Sequence, residues 1–233
     1  GQYTSYLRKQ MDAFIRGENV NGYIMNASQA LTVDLPYDDH AQLEPAFFAL
    51  QAQGAQANML ERTYAGTINH AVATAAVVRQ ALTAAGAPTF AAFFPQSNDY
   101  NFDAQLQTTA RLIWAAYNNV PGYSGLKRQV FYVNTGGYDT HSDQLNQHNG
   151  LLPELSRALA GFYNALNSIV IPGGTLADVA TAFTASDFGR SMTANNGGSD
   201  HGWGSHHLVS GGAVQGGRFY GNGCGFTGQA PNY

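Results

Sequence analysis

Two stretches of this chain gather carboxylates and imidazoles in a sequence that otherwise spends few charges. The first is Gly136-Gly137-Tyr138-Asp139-Thr140-His141. The second starts at Ser186-Asp187-Phe188-Gly189-Arg190 and continues into Asp200-His201-Gly202-Trp203-Gly204-Ser205-His206-His207. Asp and His are hard-to-borderline donors that suit zinc, manganese or magnesium. A divalent ion between them would lower the pKa of a bound water or neutralise charge on a phosphoryl or sulfuryl oxygen. The candidate ligands are Asp139, His141, Asp187, Asp200, His201 and His206. His206 and His207 are adjacent, and in a strand they would face opposite ways, so at most one reaches a shared site. Arg190 is the candidate anion clamp, because its planar fork suits an anionic oxygen. Each residue also has a plainer reading. Asp139 and Asp187 serve equally well as cap or turn formers, Arg190 as a partner for a carboxylate, and His40, His70 and His148 as structural histidines.

Both clusters follow apolar runs. Gln129 to Thr135 is β-branched and aromatic and predicts a buried strand; Val179 to Ala185 predicts a second, and Leu208-Val209-Ser210 a short third. Between the first two, Leu145 to Ile169 has the helical stripe Leu151, Leu152, Leu155, Leu159, Phe162 and Leu166. Strand, helix, strand predicts a βαβ unit with parallel strands. Open α/β sheets hold ligands at the carboxyl edge of such strands. The topology therefore predicts that Asp139, His141 and Asp187 share one rim. Asn195 to Ser199 reads as a loop leading to Asp200.

The first half reads as helical. Helices are expected over Tyr3 to Arg16, Glu44 to Gln53, Asn58 to Ala85 and Gln105 to Tyr117, with an irregular segment or short strand over Gly22 to Leu35. The expectation is one α/β domain over 1–233, with a mainly helical portion at 1–125 and a βαβ portion carrying the metal site at 126–221.

Composition narrows the partners. Of 233 residues, 44% are hydrophobic, enough for a core, and 11% are charged, against about a quarter in ordinary domains. Lys occurs only at Lys9 and Lys127, a style commoner in periplasmic or secreted proteins. The net charge of −4 and the lack of a basic patch argue against nucleic acid. No stretch approaches the ~18 apolar residues of a membrane span. The single Cys224 excludes an internal disulfide framework and a Cys-rich zinc site. Asn26-Ala27-Ser28 is a glycosylation sequon.

The motifs Gly-Gly-Tyr-Asp-Thr-His at 136–141, Ala-Ser-Asp-Phe-Gly-Arg at 185–190, Ser-Asp-His-Gly-Trp-Gly at 199–204 and Gly-Gly-Ala-Val-Gln-Gly-Gly-Arg-Phe-Tyr-Gly at 211–221 resemble the DUF1501 family. That family comprises uncharacterised, typically exported bacterial proteins grouped with the alkaline phosphatase and sulfatase superfamily. The resemblance implies an alkaline-phosphatase-like fold, a mostly parallel sheet flanked by helices. It also implies a metal held by Asp139 and His141, with Asp187 and the Asp200-His201 pair on the same or a neighbouring ion. Asp139 and His141 are spaced more closely than the superfamily's first Asp and His. Phe188 stands where the superfamily commonly has His. No segment matches the family's opening Gly-Gly-Asn-Asp loop, where the superfamily keeps its nucleophile, so the chain reads as truncated at both ends. The expected function is metal-dependent hydrolysis or transfer of phosphate or sulfate esters, of small molecules or polymers. The alternative is a non-catalytic exported binding or surface protein that keeps the fold and a partial site.

Overall fold

The computed structural model describes residues 58–97, 101–126, 128–195 and 197–220, with isolated positions at 45, 48, 49 and 52. The expectations for 3–16, 22–35 and most of 44–53, the sequon, His40 and Cys224 lie outside these residues. The described residues mix helices with short antiparallel strand pairs.

Helix α1 spans Met59–Leu82, capped by Asn58, whose side chain accepts from the Leu60 N–H at 2.8 Å. Glu61 in its first turn and Arg79 in its last complement the helix dipole. Helix α2, Phe102–Tyr117, starts the same way, with Asn101 accepting from the Ala104 N–H at 3.0 Å. Ala75, Val78, Ala81 and Leu82 of α1 share a buried cluster with Leu112 and Ala115 of α2, closed off by Val120 and Tyr123.

Helix α3, Gln144–Asn167, matches the expected long helix closely. The carboxyl-terminal part of its stripe, Ala158, Phe162, Ala165 and Leu166, meets Leu106 and Ala110 of α2 in the second buried cluster. Leu155 and Leu159 are partly buried against it, whereas Leu152 is half exposed. Gly161 sits where a Cβ would meet the Phe93 carbonyl oxygen at 2.5 Å, so the short 3-10 turn Ala91–Phe93 can lie directly on the helix.

Asp103 and Arg157 fasten α2 to α3. Asp103 is 1% exposed and accepts from Arg157 Nη2 at 2.8 Å, while its other oxygen has no partner.

After α3 come β1 (Val170–Ile171) and β2 (Gly174–Thr175), an antiparallel pair, then a 3-10 turn at Leu176–Val179. Strand β3 is Thr181–Phe183, shorter than expected. It pairs antiparallel with β6, Val209–Gly211, the short third strand of the sequence reading. Between them, β4 (Gly189–Asn195) and β5 (Gly198–Gly202) form an antiparallel hairpin with an irregularity between Arg190 and Ala194.

The parallel pairing expected between 129–135 and 179–185 is not formed among the described residues. Residues 129–135 are not a strand in any ladder. Phe131 packs on the α1–α2 cluster and Val133 on the α2–α3 cluster, while Val130 and Tyr132 face outward. The sequence pattern is thus that of a strand, but the neighbour is a side chain. Gln105 donates its amide to the Asn134 carbonyl and accepts from the Asn134 N–H, both at 2.8 Å. A strand needs a laddered backbone beside it, and β3 pairs with β6 instead.

Replacing Arg157 with Met strands the buried Asp103 charge. Because the Arg157 side chain is itself partly exposed, the expected loss is about 2–4 kcal/mol, somewhat below a fully buried pair. The double change Asp103→Leu with Arg157→Met should recover most of it. Urea denaturation of both variants checks this.

Candidate metal centre

The site is built by one loop and one hairpin. The loop, 136–143, leaves the extended segment and enters α3 at Asp143, which is left-handed (φ 52°) and makes no side-chain cap bond to the helix backbone. The helix start is held by the hairpin: the Gln144 N–H donates to the Gly197 carbonyl at 2.8 Å. Gly198, next along, lies so close to the loop that a Cβ there would meet the His141 carbonyl carbon at 2.5 Å and the Thr140 carbonyl oxygen at 2.6 Å. Glycine at this position is what lets the hairpin tip seat against the loop.

Docking sets Asp139 and His141 of the loop against Asp200 and His201 of β5. Asp139 Oδ1 lies 2.8 Å from His201 Nε2 and 3.0 Å from His141 Nε2. One ligand atom from each of Asp139, His141 and His201 falls within 4.8 Å of the other two. Behind His141, Asp200 Oδ1 stands 3.2 Å from Nδ1 and accepts from the Asn195 amide at 2.7 Å. His141 therefore has a carboxylate on its far nitrogen, the arrangement that fixes tautomer and ring orientation in metal-ligating histidines. The Phe188 ring stacks on His201 (4.0 Å between centroids, 11° between planes), and His201 in turn lies over His141 at 5.0 Å. The cluster is open: Asp139, His141 and His201 are about half exposed.

Asp139 is held below the usual carboxylate range, first by the hydrogen bond from His201, then by the nearby His141, His201 and Arg190, with partial desolvation opposing. Tyr138, one position earlier, is pushed the other way by burial and by Glu154, and its hydroxyl donates to the Leu151 carbonyl at 3.3 Å.

Arg190 sits between the hairpin and the loop. It lies opposite His201 in the β4–β5 register. Its guanidinium donates to the Ser199 carbonyl, to the Tyr138 carbonyl at 2.6 Å and to Thr140 Oγ1 at 3.4 Å, and lies 3.8 Å from Asp139. It also sits over the Phe188 ring, 5.1 Å from its centroid. These bonds tie hairpin to loop, and much of the fork is spent on backbone carbonyls instead of being offered to an anion. Asp187 is exposed and His206 is exposed, and neither joins the cluster. Residues 205–208 are not a strand, so the expected alternation of His206 and His207 does not apply. His148 packs near the Tyr138 ring, and His70 Nε2 stands 3.5 Å from Thr74 Oγ1.

Sequence reasoning missed Asn195 and Phe188. Asn196-Gly197 is a hairpin-turn signature, and it would have placed Asn195 and Asp200 on neighbouring strands instead of on a loop.

Residues 124–231 match the family described as "Protein of unknown function (DUF1501)", so this portion, which includes the whole site, is similar to that family. No curated protein and no solved structure matches the chain.

Two outcomes follow from the geometry. In metal-free protein, Asp139 stays ionised below the ordinary ~3.9. The stability it contributes is therefore present above that value and is lost as pH falls through the lowered folded value. A carboxyl NMR titration should show the Asp139 midpoint moving up in His201→Ala; an unmoved midpoint would contradict the bond. Gly198→Ala should push the hairpin off the loop, costing about 1–3 kcal/mol as overpacking does and weakening the contacts between the His141 and His201 rings seen by NMR.

Proposed function

We propose that Asp139, His141 and His201 hold a divalent cation, zinc, manganese or magnesium, and that the protein is a metal-dependent hydrolase or transferase of phosphate or sulfate esters of the alkaline phosphatase and sulfatase kind. The observation that carries this reading is the convergence of three ligand atoms from two separate segments, with Asp200 behind His141. The spacings fit one ion. Oxygen-to-nitrogen distances of 2.8 and 3.0 Å are within a few tenths of the roughly 3.3 Å edge of a tetrahedron with bonds of about 2.0–2.1 Å.

The donor set supports a catalytic over a structural site. Structural zinc sites are closed by four protein ligands, whereas catalytic ones keep three and leave a position to solvent. Here three protein ligands lie half exposed at a surface. An ion held there would acidify a water on its open side and neutralise charge on an ester oxygen. Asp200 and Asn195 keep His141 turned toward the ion, Phe188 keeps His201 in plane, and Arg190 keeps the two segments together. Asp187 and His206, on exposed neighbouring segments, belong to this reading only as ligands of a second ion. The same reading includes the mostly parallel alkaline-phosphatase-like sheet that the resemblance implies, and an exported, periplasmic or secreted setting that suits the sparse charge.

One observation favours the non-catalytic alternative, an exported binding or surface protein with a partial site. Asp139, His141 and His201 bond to one another, to Asp200 and to Arg190, not to a hydroxyl. Thr140, the hydroxyl between Asp139 and His141, is buried and held by Arg190.

Metal analysis and calorimetry test the site. One divalent ion per chain is expected, lost in Asp139→Ala and His201→Ala, with affinity lowered about 10–100-fold in Asp200→Asn and Asn195→Ala. Turnover of aryl phosphates or sulfates that depends on the ion and disappears in Asp139→Ala supports the hydrolase. Tight metal binding without any turnover supports the binding protein, and failure to take up zinc, manganese or magnesium sinks both.

A further inference from the structure

A second set of reactive side chains lies on the segment after β5. His207 has a hydroxyl on each ring nitrogen: Ser205 Oγ is 3.1 Å from Nε2, and Thr184 Oγ1 is 3.4 Å from Nδ1. Thr184 is fixed by the β3–β6 pairing, since its N–H donates to the Leu208 carbonyl and its hydroxyl oxygen accepts from the Leu208 N–H, both at 2.9 Å. That oxygen keeps a second lone pair, which can accept from His207 Nδ1–H. In this tautomer Nε2 is the free acceptor and Ser205 donates to it. Nucleophile, base and a group that orients the base are then in line, the constellation that activates a serine.

The surroundings suit attack on an acyl carbon. Ser205 and His207 are exposed, so an ester can approach from solvent. Gly204 carries the chain into this segment and is anchored by its exchange with Arg190, whose N–H donates to the Gly204 carbonyl at 2.7 Å. Among the described residues the backbone N–H groups of Ser205 and His206 donate to no backbone carbonyl. Donors on the nucleophile and on the residue after it are where an acyl oxyanion is commonly received.

We propose that Ser205, with His207 as general base and Thr184 as the residue that orients it, is a metal-independent nucleophile toward carboxylic esters. Ser205 Oγ bonds to the acyl carbon as its proton passes to His207 Nε2. The ester C–O bond breaks, and the leaving alkoxide takes that proton. Water, deprotonated by His207, then attacks the acyl-serine ester and releases the carboxylic acid and free Ser205.

The test uses the full chain with p-nitrophenyl acetate in excess EDTA. The expected result is a burst of p-nitrophenol with an acetyl group on the peptide carrying Ser205. Acylation should disappear in Ser205→Ala, slow by about 10²-fold or more in His207→Ala, and persist in Thr184→Ser. Equal acylation rates with and without EDTA should separate this centre from the metal site. An intact chain with no acetyl on the Ser205 peptide, or equal acylation rates in wild type and His207→Ala, overturns the proposal.

Discussion

The seating of the hairpin tip on the loop before α3 is the contact on which the site depends. Two backbone features make it: the hydrogen bond from Gln144 N–H to the Gly197 carbonyl, and the absence of a side chain at Gly198. The same bond satisfies one of the helix's otherwise orphaned amino-terminal donors, a task that Asp143 does not perform with its side chain. Starting the helix and assembling the ligands are therefore one event. Strain in the turn at Asp143, a non-glycine residue in left-handed conformation, is tolerated because hairpin and helix both hold it.

Around that contact the polar groups form a graded system. Asn195, Asp200 and His141 make a chain that ends on Asp139, and His201 closes it from the other strand position. Carboxylates alternate with nitrogen-bearing side chains along it, so each helps to orient the next. Arg190 lies beneath as a strut between carbonyls of both segments. Removing any one member would alter the orientation of its neighbours.

Much of this was legible in the sequence, for reasons that can be named. Helices α1 and α2 carry asparagine caps, all three carry apolar stripes, and they fall within a few residues of their expected bounds. Asp139, His141, Asp200 and His201 stood out by type alone, in a chain with few charges. What was not legible was how the two segments meet. The βαβ argument brought Asp139 to Asp187 across parallel strands. The described structure brings it to His201 through a local antiparallel hairpin, whose turn chemistry at Asn196-Gly197 looked like plain loop. The bonds from Arg190 to the Ser199 and Tyr138 carbonyls were not legible, because backbone partners leave no trace in residue types. Strand ends are likewise poorly specified here: residues 129–135 have the alternation of a strand, yet a glutamine amide takes the place of a neighbour.

That substitution of a side chain for a strand affects behaviour in concentrated solution. Val130 and Tyr132 point outward from an extended backbone that, among the described residues, has no ladder beside it. Such an edge is a template for another strand. Proteins usually guard one with charge or proline, but the run from Gln129 to Thr135 contains neither. The chain should thus be more prone to self-association through this stripe than its net charge suggests, and a single lysine at an outward position would be a mild way to keep copies apart without touching the packed face.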